Sequence, residues 1–150
     1  MRTLPVVSEQ GDNTSPSANE SSSDPLQESW IIQSDASALG FDWPDIAGVF
    51  EKVREEIGEI ADAWRNGDRE HAKRELGDLL FAAVNLARFL DADPREELHR
   101  ANARFMQRFE MLRKSLHDQG IVMHECTLEE LDKVWERVKD AIKSSSKKDA

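Results

Sequence analysis

The chain has 150 residues, a length typical of one domain, and its formal net charge at pH 7 is −10. Such an acidic chain lacks the basic face of a general nucleic-acid binder, and no apolar run approaches the roughly 20 residues that span a membrane. The single cysteine, Cys126, excludes an internal disulfide, and the N-terminus has no apolar signal core, so we expect a soluble cytoplasmic protein.

The two ends of the chain differ from the middle in composition. Residues 1–24 are rich in Ser, Asn, Asp, Glu and Pro, and such a segment buries too little apolar surface to offset its ordering entropy. We therefore predict a disordered N-terminal extension over residues 1–24 and a flexible tail over residues 144–150. Residues 25–143 are predicted to form the folded domain.

Helix signals follow one another along this domain. The first helix is predicted over residues 26–39. The second is predicted over residues 44–66, because proline is favoured in a first turn and Gly67 suits the turn that follows. The third is predicted over residues 68–90, with Asp68 as its N-terminal cap.

Two further helices complete the pattern. Asp93–Glu96 combines a cap, a first-turn proline and an acid at the third helical position, which predicts a fourth helix that ends near Gly120. Thr127–Glu130 predicts the start of the fifth helix. Its apolar stripe consists of Leu131, Val134, Trp135, Val138 and Ile142. No stretch alternates like a strand, so we predict an all-α fold, an antiparallel helical bundle.

Two pairs of acids on the second and third helices form a candidate metal site. Glu56 and Glu59 are spaced i, i+3, and so are Glu75 and Asp78, which places each pair on one helix face. Like charges at this spacing repel, whereas Mg²⁺ favours carboxylate and water ligands. The alternative for the first pair is an ordinary solvated helix face.

The spacing of the two pairs in the chain supports the metal site. Glu59 lies about eight residues before Gly67, and Glu75 lies about eight residues after it. A hairpin of the two helices therefore puts the pairs at similar heights. We expect the four carboxylates to converge without a cationic partner from their own sequence neighbourhood.

The third helix is apolar nearly all round from Gly77 to Leu90, which predicts a buried helix. Asp78 and Asn85 are seven residues apart, so we expect both to line one polar cleft. A short monomeric bundle cannot readily cover so much apolar surface, and this predicts that a homodimer or higher homo-oligomer completes the bundle.

Several other polar side chains are candidates for substrate contacts. Arg104 and Arg108 share a helix face and are either surface arginines or a phosphate clamp, since guanidinium binds phosphate with paired donors. Asn85 and Asn102 either bind a ribose or phosphate, or satisfy buried backbone. Glu55 is offset from the acid pairs by helical angle and is left out of the ligand set. No nucleophile constellation or phosphate-binding glycine loop is present, which favours metal-assisted attack by water.

The order of these motifs resembles the MazG-type nucleoside triphosphate pyrophosphohydrolases. Glu55-Glu56-x-x-Glu59, followed about sixteen residues further on by Glu75-x-x-Asp78, is similar to the acid signature of that family. The similarity covers roughly residues 40–140 and looks most like the C-terminal, catalytic copy of two-domain members. Further blocks that resemble the family are Gly40–Pro44, Glu75–Phe81, Val84–Arg88, Arg100–Phe105, Arg108–Phe109 and Leu128–Trp135.

This resemblance implies hydrolysis of a nucleoside triphosphate to nucleoside monophosphate and pyrophosphate, in a nucleotide-pool house-cleaning role. It also implies Mg²⁺ as cofactor, with Mn²⁺ as a substitute, and dimers or higher oligomers. The resemblance favours triphosphate contacts for Arg104 and Arg108, and it implies a nucleobase contact for Trp135, which by its apolar stripe is otherwise a core residue. The alternative is a non-catalytic helical module that binds a nucleotide or a metal without turnover.

Overall fold

A computed structural model describes residues 24–146, and within this range the regular structure is helical throughout. The predicted all-α fold is confirmed. A single 3₁₀ turn, Met123–Glu125, comes before the last helix. The helices are α1 (Pro25–Ala38), α2 (Ile46–Arg65), α3 (Arg69–Phe89), α4 (Pro94–Asp118) and α5 (Leu128–Ser146).

Aspartates define where the first four helices begin. The side chains of Asp24, Asp45, Asp68 and Asp93 each accept a hydrogen bond from a backbone N–H of the following first turn. The fifth helix starts with a reciprocal capping box, in which the Thr127 N–H donates to Glu130 and the Glu130 N–H donates to the Thr127 hydroxyl. These caps place the helix starts close to where the sequence predicts them.

Two predicted boundaries move by a few residues. α2 begins at Ile46, because Asp45 caps it and Pro44 lies before the cap. α5 continues to Ser146, three residues beyond the predicted domain boundary at residue 143. The predictions for residues 1–23 and 147–150 lie outside the described residues.

The predicted hairpin of the acid-bearing helices is present. α2 packs chiefly against α3, and Asn66–Asp68 connect the two, with Gly67 at a φ of 74° that favours glycine. α1 also packs on α3, whereas α4 packs mainly on α5.

The buried apolar side chains form two groups. Val49, Ala63, Ala82 and Val84 are buried on α2 and α3. The predicted stripe of α5 packs on α4, where Leu112, Leu116, Val134 and Val138 form a core that Met123, Cys126, Leu131, Trp135 and Ile142 border.

Within the single chain α3 is only partly covered, so its burial on all sides, which was predicted together with an oligomer, stays a prediction. Leu76, Leu80 and Phe81 are each about half exposed, and Asp78 is exposed. α1, α2 and α4 all pack on α3, but they leave these apolar side chains partly uncovered within the described chain. None of the helices in residues 24–146 is both long and apolar enough to cross a bilayer.

Candidate metal centre and neighbouring pocket

The hairpin of α2 and α3 brings the predicted acids together in two overlapping groups. Glu56, Glu75 and Asp78 offer carboxylate oxygens that all lie within 4.8 Å of one another. Glu55, Glu56 and Glu59 form a second group at the same spacing. Because Glu56 belongs to both groups, it is the centre of the cluster.

Glu56 is also the most deeply buried ionisable residue of the site. Its exposed fraction is only 1%, and its Oε2 atom has no hydrogen-bond partner. A buried carboxylate oxygen without a partner is unfavourable, because it has lost water and gained no donor. A cation bound at Glu56 Oε2 would satisfy this unpaired atom. The ligand set around it consists of oxygens alone, which Mg²⁺ and Mn²⁺ prefer.

The expectation that the acids lack a cationic partner from their sequence neighbourhood is wrong. Lys52, one turn before Glu56, pairs its ammonium with Glu56 Oε1, and its Nζ lies 3.0 Å from Glu55 Oε1. His71, one turn before Glu75, places Nε2 at 2.8 Å from Glu75 Oε1. The Lys52–Glu56 and His71–Glu75 contacts are i, i+4 pairs and the Lys52–Glu55 contact is an i, i+3 pair, so the helical spacing in the sequence already indicated them.

Glu59 faces Glu75 across the hairpin. A side-chain hydrogen bond between the two raises the pKa of Glu59 above its ordinary value, and desolvation and the negative charges of Glu75, Glu56 and Glu55 act in the same direction. Glu59 therefore binds a proton more readily than an isolated glutamate does.

Glu55 is the acid that sequence reasoning left out. A helical angle of about 100° per residue offsets Glu55 from Glu56 and Glu59, but a flexible glutamate side chain is long enough to bridge that offset. The structure places its carboxylate within the second group of acids and beside Lys52. The sequence feature that indicates the position of Glu55 is its i, i+3 spacing from Lys52, not the helix face of the other acids.

A half-enclosed aromatic pocket begins one turn after Asp78 on α3. Its cavity volume is about 420 Å³. Its lining consists of Ile32, Gln33, Ala36, Phe41, Asp42, Trp43, Phe81, Asn85 and Arg88. Gln33 is buried, donates through Nε2 to the Phe81 carbonyl at 3.1 Å, and leaves its Oε1 atom without a partner. The pocket thus combines aromatic walls with an unused hydrogen-bonding atom.

A polar network holds one wall of this pocket. Arg88 donates to Asp42 Oδ1 at 2.5 Å and to Asn85 Oδ1, and Asp42 also accepts from the Ser37 hydroxyl at 2.6 Å. These hydrogen bonds, with that of Arg88 the strongest, lower the pKa of Asp42 to about 2. The network fixes the α1–α2 loop and its neighbouring Trp43, and it places Asn85 in the aromatic pocket rather than in a cleft shared with Asp78.

The residues of α4 and α5 that the sequence indicates as substrate contacts make no polar contact with the acid cluster within residues 24–146. Among residues 24–146, no hydrogen bond or ion pair joins Asn102, Arg104, Arg108 or Trp135 to the cluster. Asn102 and Arg104 are exposed and Arg108 is half-buried. The Trp135 ring packs on Phe105, with ring centroids 5.4 Å apart, beside the α4–α5 core.

Comparison with known proteins identifies relatives of the α2–α4 region. Residues 46–115 match the MazG nucleotide pyrophosphohydrolase domain family. The chain is 43% identical over 108 residues to the Thermotoga maritima nucleoside triphosphate pyrophosphohydrolase/pyrophosphatase MazG, and 39% identical over 110 residues to the Escherichia coli nucleoside triphosphate pyrophosphohydrolase. Both alignments cover 72% of this chain.

These relatives are longer proteins. The aligned part of the chain spans 41% of the Thermotoga protein and 42% of the Escherichia coli protein. A Bacillus subtilis protein, the uncharacterized protein YabN, is 37% identical over 73 residues, which make up 49% of this chain and 15% of that protein.

Proposed function

Because this chain belongs to the MazG family of nucleotide pyrophosphohydrolases, we propose that it hydrolyses a nucleoside triphosphate to nucleoside monophosphate and pyrophosphate. Water adds to the α-phosphorus, the bond from that phosphorus to the oxygen bridging to the β-phosphorus breaks, and the proton of the water passes to solvent. The role is to remove unwanted triphosphates from the nucleotide pool.

The observation that carries the proposal is the acid cluster around Glu56. Carboxylates from both helices of the hairpin converge there, and the buried Glu56 retains an oxygen without a partner. Stability alone does not account for such an arrangement, because the like charges repel and the buried oxygen is unsatisfied. A site that binds a divalent cation accounts for both features.

Glu56, Glu59, Glu75 and Asp78 would hold Mg²⁺, or Mn²⁺ in its place. When bound, the cation supplies Lewis-acid polarisation of the phosphate and lowers the pKa of a bound water. The residues themselves fix the position of this charge on a rigid helical hairpin. Glu55 lies beside Glu56 and can accept a hydrogen bond from a water at the edge of the cluster.

The candidate substrate-binding residues on α4 are assigned to the phosphates and the ribose of the nucleotide. Arg104 and Arg108 hold the terminal phosphates, since neither has an ion-pair partner among residues 24–146 and both present guanidinium donors from one side of α4. Asn102, two residues before Arg104, supplies a further hydrogen bond to the phosphates or ribose.

Two aromatic surfaces could take the nucleobase. The pocket of Trp43 and Phe81 is favoured by its enclosure, by the unpartnered Gln33 Oε1 and by Asn85 in its wall. Trp135, the residue that family resemblance indicates, is partly occupied by its packing on Phe105. Loss of base preference in Trp43→Ala but not in Trp135→Ala would assign the base to the pocket, and the reverse result would assign it to Trp135.

The test of the proposed activity is Asp78→Asn. Asp78 is exposed in the chain, so the substitution leaves the fold intact while removing one charged ligand. Since even residues that only support metal ligands change activity about 10- to 100-fold, we expect Mg²⁺-dependent pyrophosphate release to fall by about 100-fold or more. Circular dichroism should show unchanged helix content, and Asp140→Asn, on the exposed face of α5, serves as the matched control.

The alternative function, a non-catalytic module, predicts a different result. Cation or nucleotide binding would then be measurable in wild-type protein without pyrophosphate release, and Asp78→Asn would change binding only. Wild-type turnover that persists in excess chelator would contradict the metal-dependent proposal.

A further inference from the structure

Lys52 is a cation that the chain itself places in the acid cluster. Its ammonium contacts Glu56 Oε1 and lies 3.0 Å from Glu55 Oε1, and its own side chain is 39% exposed. Every other lysine ion pair among residues 24–146 joins a carboxylate that is itself exposed, as in Lys133–Glu129. Lys52 is therefore distinguished by the burial of its partner.

The location of Lys52 has a direct electrostatic reason. A buried carboxylate without a counter-charge is strongly unfavourable, and the neighbouring Glu55, Glu59, Glu75 and Asp78 add to the negative potential at Glu56. The ammonium satisfies one oxygen of Glu56 but leaves the other without a partner. A single positive charge thus compensates only part of the cluster.

A divalent cation at the cluster would require the same carboxylates. Glu55 and Glu56, which contact Lys52, are two of the three acids in the group that includes Glu59. An ammonium at Glu56 Oε1 and a divalent cation at Glu56 Oε2 would lie within a few ångströms of each other, and in a half-buried site their repulsion is only weakly screened. Lys52 therefore opposes cation binding for as long as its ammonium stays beside Glu56.

We propose that Lys52 is a resident counter-ion that competes with the divalent cation for Glu56 and Glu55. In the metal-free protein its ammonium neutralises these two acids, and cation binding displaces it toward solvent along its flexible stem. The inference rests on the proposed cation site. It gives Lys52 two opposite effects: it stabilises the metal-free protein and it weakens cation affinity.

The opposite role for Lys52 would be to hold Glu56 in the orientation that a cation needs. In that case its removal would weaken cation binding, whereas competition requires that its removal strengthen binding. The sign of one affinity change therefore separates the two roles without any measurement of turnover.

The experiment uses the full chain and Mn²⁺ alone as the probe, with free Mn²⁺ counted by electron paramagnetic resonance. Lys52→Met removes the charge and keeps the length of the side chain. We expect it to bind Mn²⁺ about ten-fold more tightly, the change that a charge-assisted hydrogen bond to a carboxylate accounts for. Its melting temperature without metal should be lower than that of wild-type protein, and the rise on adding Mn²⁺ should be larger.

Two further variants complete the design. Lys133→Met removes a lysine at the same i, i+4 spacing from an exposed glutamate and should match wild-type protein in both measurements. Lys52→Gln keeps a hydrogen-bond donor for Glu56 without the charge, so it tests the inference even if Lys52→Met fails to fold.

Unchanged or weaker Mn²⁺ binding in the Lys52 variants would overturn the proposal that Lys52 competes with the divalent cation. If wild-type protein binds Mn²⁺ and uses it in turnover, that result overturns the inference alone and leaves the proposed function in place. Absence of Mn²⁺ binding in wild-type protein would overturn the cation site and the inference together.

Discussion

At the scale of single residues, polar groups of the chain itself contact the acid cluster. Lys52 pairs with Glu56, His71 contacts Glu75, and a side-chain hydrogen bond joins Glu59 to Glu75. The i, i+3 spacing and the hairpin were enough to predict that Glu56, Glu59, Glu75 and Asp78 lie close together, and their role as ligands stays a prediction. Which acid is buried could not be predicted, because burial depends on the packing of neighbouring helices.

Glu59→Gln tests the repulsion within this cluster. The folded-state pKa of Glu59 is raised above the ordinary value of 4.5, so the folded protein binds this proton more readily than the unfolded chain does. The ionised group therefore destabilises the metal-free protein above its folded pKa, and this effect disappears as the pH falls through that pKa toward 4.5. We expect Glu59→Gln to raise the melting temperature of the metal-free protein by a few degrees at pH 8.

The pH dependence provides the check on this prediction. The difference in melting temperature between Glu59→Gln and wild-type protein should shrink as the pH is lowered toward 4.5, measured by scanning calorimetry in the presence of chelator. A difference in melting temperature that is equal at both ends of the pH range would show that the ionisation of Glu59 is not its origin. Added Mg²⁺ should reverse the order, because the variant has lost a ligand.

At the scale of elements, capping and turn signals predicted the helices well, since a cap is a local interaction between neighbours in sequence. The surroundings of each helix were less predictable. The apolar run of α3 indicated burial, but in the single chain Leu76 and Leu80 remain about half exposed. The periodicity of the sequence shows which apolar side chains share a helix face. Whether that face is covered depends on the arrangement of the other helices.

The contact between Trp43 and α2 could not be predicted from the sequence, because it depends on how the loop before α2 folds back onto that helix. A Cβ atom added at Gly48 would lie 2.4 Å from Trp43 Cε3, so the indole is seated directly on the glycine. The close approach explains how one residue of the loop becomes a wall of the aromatic pocket.

Gly48→Ala and Gly58→Ala form a matched pair within α2. Alanine is favoured over glycine in a helix by about 1 kcal/mol, and nothing lies within 4 Å of a Cβ at Gly58, so Gly58→Ala should stabilise the protein by roughly 0.5–1 kcal/mol. Gly48→Ala must displace the Trp43 ring and should destabilise the protein by about 1–3 kcal/mol. Urea unfolding followed by tryptophan fluorescence measures both, and stabilisation by Gly48→Ala would contradict the seating of Trp43.

At the scale of the whole molecule, the single chain leaves many large apolar side chains about half exposed. They include Ile57, Leu76, Leu80, Phe81, Leu98, Phe105 and Met106. Exposed apolar surface on several helices is typical of a face that meets another protein surface. The sequence already predicted a homodimer or higher homo-oligomer from the apolar α3, and the exposed side of α3 is the surface that such an assembly would cover.

The oligomeric state has a simple test. Light scattering on the size-exclusion peak should give at least twice the 17.1 kDa chain mass at micromolar concentration. Leu80→Glu, which places a charge on the exposed side of α3, should shift the population toward the single-chain mass. A monomer mass for wild-type protein would contradict the prediction and leave the apolar side of α3 unexplained.

We propose that this chain cleaves a nucleoside triphosphate at its α-phosphorus. The most direct measurement is product analysis of a Mg²⁺-containing reaction in water labelled with heavy oxygen, by chromatography and mass spectrometry. We expect nucleoside monophosphate and pyrophosphate as first products, with the label in the monophosphate and no accumulation of diphosphate. Nucleoside diphosphate with labelled free phosphate would show that water attacks the γ-phosphorus, which is the opposite result.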